Sequence, residues 1–328
     1  YLGLIPMKDF WYPYSGFFYS SLPFFSELIF GWLHKVLIFL ILAFSVYKIF
    51  NHEKIRSLCM ILAVWLLQGS TVGTDRYFLS LSIVFCFAAS IKISHPVTFF
   101  VWGLFGGYVF FMEPVQLMYA IPACLLLMMA SFIVERRHDV RSRIVKGYLI
   151  GLGTAALVAV SYMHYLSSQG AMSEVLAFYK TLNSLGAAGM SATDIVDWAY
   201  RSISSIGVYW WLTLLLFIFS LCSLFTRPKK LWQIEDFLPL AIALVNIMIF
   251  QKWLIRPFFN TQGMAIPIIG LLLIIVRSDA RRFFSYPFMQ YSALVAVGMS
   301  LAVVLKISNP VVALIREVAN RPLSIQKD

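Results

Sequence analysis

Five charged residues in largely apolar surroundings have the types needed for group transfer involving a phosphate. They are Asp9, Asp75, Glu113, Lys252 and Arg256. Placing a carboxylate inside a membrane costs free energy, so such residues usually mark a functional cavity. Carboxylates and cations together could supply a base that takes a proton and a positive site that holds a phosphate. The set therefore indicates acid–base chemistry beside an anionic group.

All of these positions except Asp9 also have a straightforward structural interpretation, and the residues alone leave it open. Asp75 and its neighbour Arg76 could form a surface ion pair that caps two helices. Glu113 precedes a proline and could serve only to stabilise a helix N-terminus. Lys252 and Arg256 could extend from a helix end towards the lipid headgroups.

The elements that must position these residues follow from composition. The chain has 328 residues, of which 60% are hydrophobic and only 12% are charged. A soluble domain carries about 25% charged residues, so an ordinary soluble enzyme is excluded. The apolar runs are long and rich in Leu, Ile and Phe, as in helices that cross a bilayer. We therefore predict an all-α integral membrane protein.

Ten apolar runs predict a polytopic helical bundle with about ten transmembrane helices. Several runs have only about 14 residues, whereas a straight crossing needs roughly 20, so flanking residues must extend them. The runs lie near 36–50, 57–70, 78–91, 97–112, 115–134, 147–166, 208–225, 237–250, 264–276 and 289–307.

The linkers between these runs sort into a basic side and a nearly neutral side. If the spans alternate, one side holds 15 of the 26 Lys and Arg against six acids, and the other holds eleven against nine. The positive-inside rule places the first side in the cytoplasm. We interpret its basic runs as topology signals that touch anionic lipid, and we predict no nucleic-acid partner. An extracytoplasmic N-terminus then requires a span or signal before residue 1, where we expect one further helix.

The same topology divides the chain into three regions. Residues 1–35 form a first extracytoplasmic loop, with an interfacial helix that begins at Pro23. Residues 36–307 form the transmembrane bundle, which includes a long extracytoplasmic loop over 167–207 with two amphipathic interfacial stretches. Residues 308–328 form an extracytoplasmic tail.

The first loop resembles that of the GT-C superfamily of integral-membrane glycosyltransferases, which use polyprenyl-phosphate sugars. The resemblance lies in GLIPMKDFWYPYSGFFY, where the matching residues are Gly3, Ile5, Pro6, Lys8, Asp9, Phe10, Pro13, Tyr14 and Gly16. The segment GLFGGYVFFMEPVQ is similar to a glycine-rich span that ends in an acid, here Glu113. The segment KWLIRPFFNTQGMAIP is similar at Arg256 and Pro267.

One part of this third motif departs from the family pattern. Two residues after the arginine the family often has Asp, and a His follows shortly after. Phe258 occupies the first of these positions here, and Asn260 and Gln262 stand in place of the His.

The resemblance implies an inverting transfer in which an acceptor hydroxyl displaces a lipid phosphate from the anomeric carbon. It implies that Asp9 is the base, since free Asp is ionised at neutral pH. It implies that Arg256, with Lys252 second, holds the leaving phosphate. Glu113 would hold the acceptor or help a divalent metal, and metal dependence stays open because it varies across the family. The remaining residues expected to line the site are Lys8, Asp75, Arg76, Asn260 and Gln262.

The partners expected from this resemblance are a lipid-phosphate sugar donor and a glycan, lipid or protein acceptor. The chain has no Asn-X-Ser/Thr sequence, which favours a bacterial cytoplasmic membrane, with the active site facing outward. Two alternatives stay open. A transporter or flippase of lipid-linked saccharides would have two similar halves with broken helices, and no internal repeat is visible. A non-catalytic subunit of a membrane complex would tolerate changes at Asp9 and Arg256.

Overall fold

The computed structural model of the protein is all-helical throughout the part that it describes. That part comprises residues 25–50, 57–58, 60–62, 75–112, 114–173, 176–177, 207–255 and 265–276. Its helices are α1 (Phe25–Ile49), α2 (Asp75–Ile93), α3 (Pro96–Met112), α4 (Pro114–Val134), α5 (His138–Ser168), α6 (Gly207–Thr226), α7 (Ile234–Ile255) and α8 (Ala265–Val276), with a short 3₁₀ turn at Lys229–Leu231.

Local sequence explains where two of these helices begin and how they are joined. Proline is the first residue of α3 (Pro96) and of α4 (Pro114). Its fixed φ suits the first helical turn, where its missing N–H is not needed. Before α3, Ser94 adopts a left-handed φ of 50° and its N–H donates to Ser90 O at 2.8 Å. This conformation ends α2 and turns the chain back along it.

Helix α1 differs from the expected arrangement at the start of the chain. The sequence predicts an interfacial helix from Pro23 that is separate from a first span over 36–50. The structure instead has one continuous helix, Phe25–Ile49, that covers most of both. No proline or glycine pair interrupts this stretch, so nothing in the backbone forces a break between its two parts.

The predicted spans correspond well to helices where the structure describes them. Eight of the ten runs fall on α1–α8, 57–70 is described only at 57–58 and 60–62, and 289–307 lies outside the described residues. Within that part, Gln116–Val134 and His138–Ser168 are long and apolar enough to cross a membrane. Shorter apolar helices cover Val36–Ile49, Phe78–Ile93, Pro96–Phe110 and Leu212–Phe225.

Helices α3 and α5 contact each other through glycine. A Cβ atom at Gly103 would collide with the carbonyl oxygen of Gly151, and one at Gly107 would lie 2.6 Å from Val158 Cβ. Gly147 faces the ring of Phe99 in the same way. Small residues at four-residue spacing allow two backbones to approach this closely. Because the contacts advance in the same direction along both helices, α3 and α5 run parallel.

An aromatic cluster fixes the position of this pair against α2. Phe87 of α2 lies with its ring centroid 4.6 Å from that of Trp102 and 6.3 Å from that of Phe99. Tyr148 of α5 lies 5.8 Å from Phe87 and stacks on Trp102 at 5.9 Å. Ring pairs at these separations add attraction beyond the area that they bury.

The centre of the bundle is formed by α2, α4 and α7, each of which packs against the other two. Their facing side chains are large and fully buried, among them Phe78, Phe85, Leu127, Leu238 and Val245. Helix α1 packs on α2, and α6 and α8 pack on α7 and on each other. The mutual contact of α2, α4 and α7 fixes the positions of these three helices relative to one another.

Candidate functional site

The cations whose side chains are described lie at one end of the bundle, and the contacts of Lys92 locate this end. Lys92, in the last turn of α2, donates to the carbonyl oxygen of Ile49 at the end of α1 and forms an ion pair with Glu235 in the first turn of α7. Three helix ends therefore meet at one point. A carboxylate in the first turn of α7 also interacts favourably with that helix's dipole.

The linker between α6 and α7 is fixed at this same end. Arg227 Nη1 donates to Asp236 Oδ1 at 2.9 Å, and Asp236 Oδ2 accepts from the N–H of Gln233 at 2.6 Å. Trp232 donates its indole N–H to the carbonyl oxygens of Leu224 and Arg227. These bonds satisfy polar groups at the end of α6 and the start of α7 that the helices leave unpaired.

The α4–α5 linker belongs to this end as well, because α5 runs parallel to α3, which begins beside the end of α2. In this linker Arg137 donates to Glu135 through its backbone N–H and its guanidinium. The side-chain hydrogen bond from Arg137 lowers the pKa of Glu135 below its usual range. We call the whole region the basic end, and its described cations are Lys48, Lys92, Arg136, Arg137, Arg141, Arg143, Lys146, Arg227, Lys229 and Lys230.

The opposite end of the bundle holds the starts of α2 and α4 and the end of α7. Helix α7 begins at the basic end beside Lys92, so its last residue, Ile255, lies at the other end. Helix α2 finishes at the basic end, so its first residue, Asp75, lies at the other end too. Because α2, α4 and α7 also pack against one another, these three termini lie at the same end of one three-helix group.

A buried polar contact joins α2 and α4 near that end. Ser80 Oγ lies 2.9 Å from the carbonyl oxygen of Gln116 and 2.7 Å from its Oε1. Both residues are fully buried. Ser80 is five residues after Asp75, and Gln116 is three residues after Glu113, so the contact fixes the two helices one to two turns from candidate site residues.

Most of the predicted site lies outside the described residues. This applies to Lys8, Asp9, Glu113, Arg256, Asn260 and Gln262. The backbone places Asp75 and Arg76 in the first turn of α2, and Lys252 in the last turn of α7. The structure therefore brings the Asp75, Arg76 and Lys252 backbones to the same end of two contacting helices, and it leaves the convergence of the full set a prediction.

Sequence reasoning did not single out Ser80 or Gln116. The signal that could have found Gln116 is an amide beside the acid and proline of MEPVQ, within a predicted span. A second buried pair, in which Asn246 Nδ2 donates to Thr213 Oγ1 at 2.7 Å, joins α7 and α6. In the part of the chain with described side chains, no three His, Cys, Asp or Glu residues are close enough to hold a metal ion.

Comparison with known proteins identifies no family for this chain. No protein-family model, curated protein or solved structure matches the chain. The class of protein defined so far is therefore one that is all-helical in the described residues, with two described helices long and apolar enough to span a membrane and with the cations whose side chains are described lying at one end.

Proposed function

We propose that this protein is an inverting glycosyltransferase of a bacterial cytoplasmic membrane, with about ten membrane helices. It would transfer a sugar from a lipid-phosphate carrier to an acceptor at the extracytoplasmic face. The proposal is supported by the resemblance of the first loop to GT-C enzymes. It is also supported by the location, at one end of the bundle, of three helix termini that carry or adjoin predicted site residues.

The observation that carries the proposal is the arrangement of α2, α4 and α7. The terminus of α2 contains Asp75 and Arg76, α4 begins directly after Glu113 in the sequence, and Arg256 directly follows α7. Three segments that are far apart in sequence thus adjoin helix ends on the same side of the bundle, away from the basic end. An acid and a phosphate-binding cation must be brought together in this way to act on one substrate.

In the proposed reaction the acceptor oxygen attacks the anomeric carbon while the bond from that carbon to the phosphate oxygen breaks. Asp9 takes the proton of the acceptor hydroxyl, and the lipid phosphate leaves with the bonding electrons. Arg256 and Lys252 stabilise the negative charge that grows on this phosphate. Glu113 orients the acceptor, and Lys8, Asp75, Arg76, Asn260 and Gln262 line the site.

The proposed orientation places the basic end in the cytoplasm, as the positive-inside rule requires. We expect single cysteines at Thr74 and Asn183 to react with a membrane-impermeant maleimide in intact cells. Cysteines at Arg136 and Lys230, both exposed at the basic end, should react only after the membrane is opened. Labelling of position 136 from outside would reverse the orientation and remove the proposed site from the outer face.

The chemistry is tested with purified protein in liposomes and a panel of short-chain polyprenyl-phosphate sugars. Asp9→Asn keeps the shape of the side chain but removes the base, so transfer should fall by about 10²–10⁴-fold. Asp279→Asn, the same change in a linker assigned to the cytoplasm, should leave the rate unchanged. An Asp9→Asn protein that transfers sugar at the original rate would exclude Asp9 as the base.

Substitutions at the proposed phosphate site distinguish a glycosyltransferase from a transporter and from a structural subunit. Arg256→Ala should weaken donor binding as well as the rate, because the phosphate is charged before the reaction. Arg256→Lys should restore only part of the activity, because Lys lacks the bidentate fork. A transporter would lose translocation and form no glycosidic bond at all, whereas a structural subunit would show no transfer activity that either substitution could change.

A further inference from the structure

Helix α5 carries an outward face that its neighbours leave uncovered. Among the described helices it packs extensively only on α3. Arg143, Lys146, Ile150, Gly153 and Leu157 recur every three or four residues and therefore share one side of the helix. All five are exposed, and apart from the adjacent residues and the nearby backbone of α5 itself, no atom lies within 4 Å of the place where a Cβ at Gly153 would be.

The length of α5 sets the depth of this face in a membrane. Its 31 residues extend about 46 Å, which exceeds the roughly 30 Å of a hydrocarbon core. Residues 147–168 have no Asp, Glu, Lys or Arg and cover about 33 Å. The preceding residues, 138–146, then lie in the headgroup layer, with Lys146 at its boundary with the hydrocarbon.

Arg143 and Lys146 are held far less firmly by the protein than Arg141 of the same helix. Arg141 donates through Nη2 to the carbonyl oxygen of Phe132 at 2.6 Å, so its guanidinium serves to cap α4. Arg143 contacts Asp139 at 3.4 Å, and both side chains are more than half exposed. Such exposed pairs contribute little and separate readily. Lys146 makes no hydrogen bond or ion pair with the described part of the chain.

We infer that this face of α5 binds an anionic phospholipid of the cytoplasmic leaflet. The phosphate lies between Arg143, whose planar fork can hold two oxygens, and Lys146, which adds a point charge. One acyl chain follows Ile150 and Leu157 across the open space at Gly153. Asp139 competes with the phosphate for Arg143, so the carboxylate weakens the site.

The inference is tested by titrating dioleoyl phosphatidylglycerol into the full chain in a non-ionic detergent and counting bound lipid by native mass spectrometry. Arg143→Gln combined with Lys146→Gln should weaken binding at least about tenfold, since two charge-assisted contacts are lost. Lys229→Gln with Lys230→Gln removes the same charge from exposed positions at the same end and should leave affinity unchanged. Equal losses in the two double variants would show diffuse attraction and overturn the site.

A second variant is expected to bind the lipid more tightly, a result that misfolding would not produce. Asp139→Asn should tighten binding a few-fold, because it frees Arg143 from a competing carboxylate. Soluble glycerol 3-phosphate should not displace the lipid at equal concentration, since it lacks the chain that contacts Ile150 and Leu157. Weaker binding by the Asp139→Asn protein, or displacement by glycerol 3-phosphate, would overturn the inference.

Discussion

Helices α3 and α5 meet in a different way from α2, α4 and α7. The first two approach through glycine, so that backbone touches backbone at Gly103 and Gly151. The other three meet through large buried side chains and a hydrogen bond from Ser80 to Gln116. The contact between α3 and α5 depends on the absence of side chains, whereas the contact among α2, α4 and α7 depends on large side chains that pack together. In the central contact each helix also packs against two others. This is the contact that aligns the segments of the candidate site.

The largest effect should come from filling the glycine contact. Gly103→Leu places a side chain where the Gly151 carbonyl lies, so the two backbones must separate. We expect a loss of about 3 kcal/mol in the free energy of unfolding. Gly153→Leu, where the space is open, should be neutral or slightly stabilising because leucine favours helix. Unfolding in detergent measures both, and equal losses would show that glycine is not what joins α3 to α5.

A smaller effect should follow from breaking the ion pair beside α6 and α7. Asp236 is nearly inaccessible to solvent, with a side chain 3% exposed, so loss of the Arg227 guanidinium leaves a poorly solvated carboxylate. Arg227→Gln should lower the free energy of unfolding by about 2 kcal/mol. Arg143→Gln disrupts a pair that is 54% and 71% exposed and should change it by less than about 1 kcal/mol. Similar losses at the two sites would mean that burial does not set the strength of these pairs.

The smallest effect concerns the polar contact between α2 and α4. Ser80→Ala removes a donor to Gln116 on another helix, and we expect a loss of about 1 kcal/mol. Ser82 is equally buried, but its hydroxyl donates to Phe78 O within the same helix. Ser82→Ala should therefore change stability less. Thermal unfolding of the two proteins compares them, and the opposite order would remove Ser80 from the contacts that align α2 with α4.

Much of the helical organisation could be predicted from the sequence because it is local. Apolar runs predict spans, and Pro96 and Pro114 mark the starts of α3 and α4. The continuous α1 was not predicted, because the stretch from Pro23 contains the polar residues Glu27, His34 and Lys35 and was interpreted as a separate interfacial helix. Backbone hydrogen bonds within a helix tolerate a few polar side chains, so such residues do not by themselves end it.

The contacts between helices could not be predicted from the same patterns. Glycines at four-residue spacing in GLFGG and GYLIG indicate close packing but name no partner and no direction. The pairing of Lys92 with Glu235 joins residues 143 positions apart, and charge alone allows many other pairings. For the candidate site, the sequence predicts the residue types and the side of the membrane. The meeting of α2, α4 and α7 depends on three-dimensional packing that no single segment encodes.

The parallel alignment of α3 and α5 also has a consequence for the order in which the chain assembles. In the membrane arrangement that we propose, parallel neighbours cannot be consecutive spans, so α4 crosses between them before α5 arrives. Gly103 and Gly151 are separated by 48 positions, and a ribosome adding about 5–20 residues per second needs about 2–10 s to bridge that interval. In that arrangement the glycine surface of α3 faces lipid or the insertion machinery during those seconds, and α5 covers it only after its own synthesis.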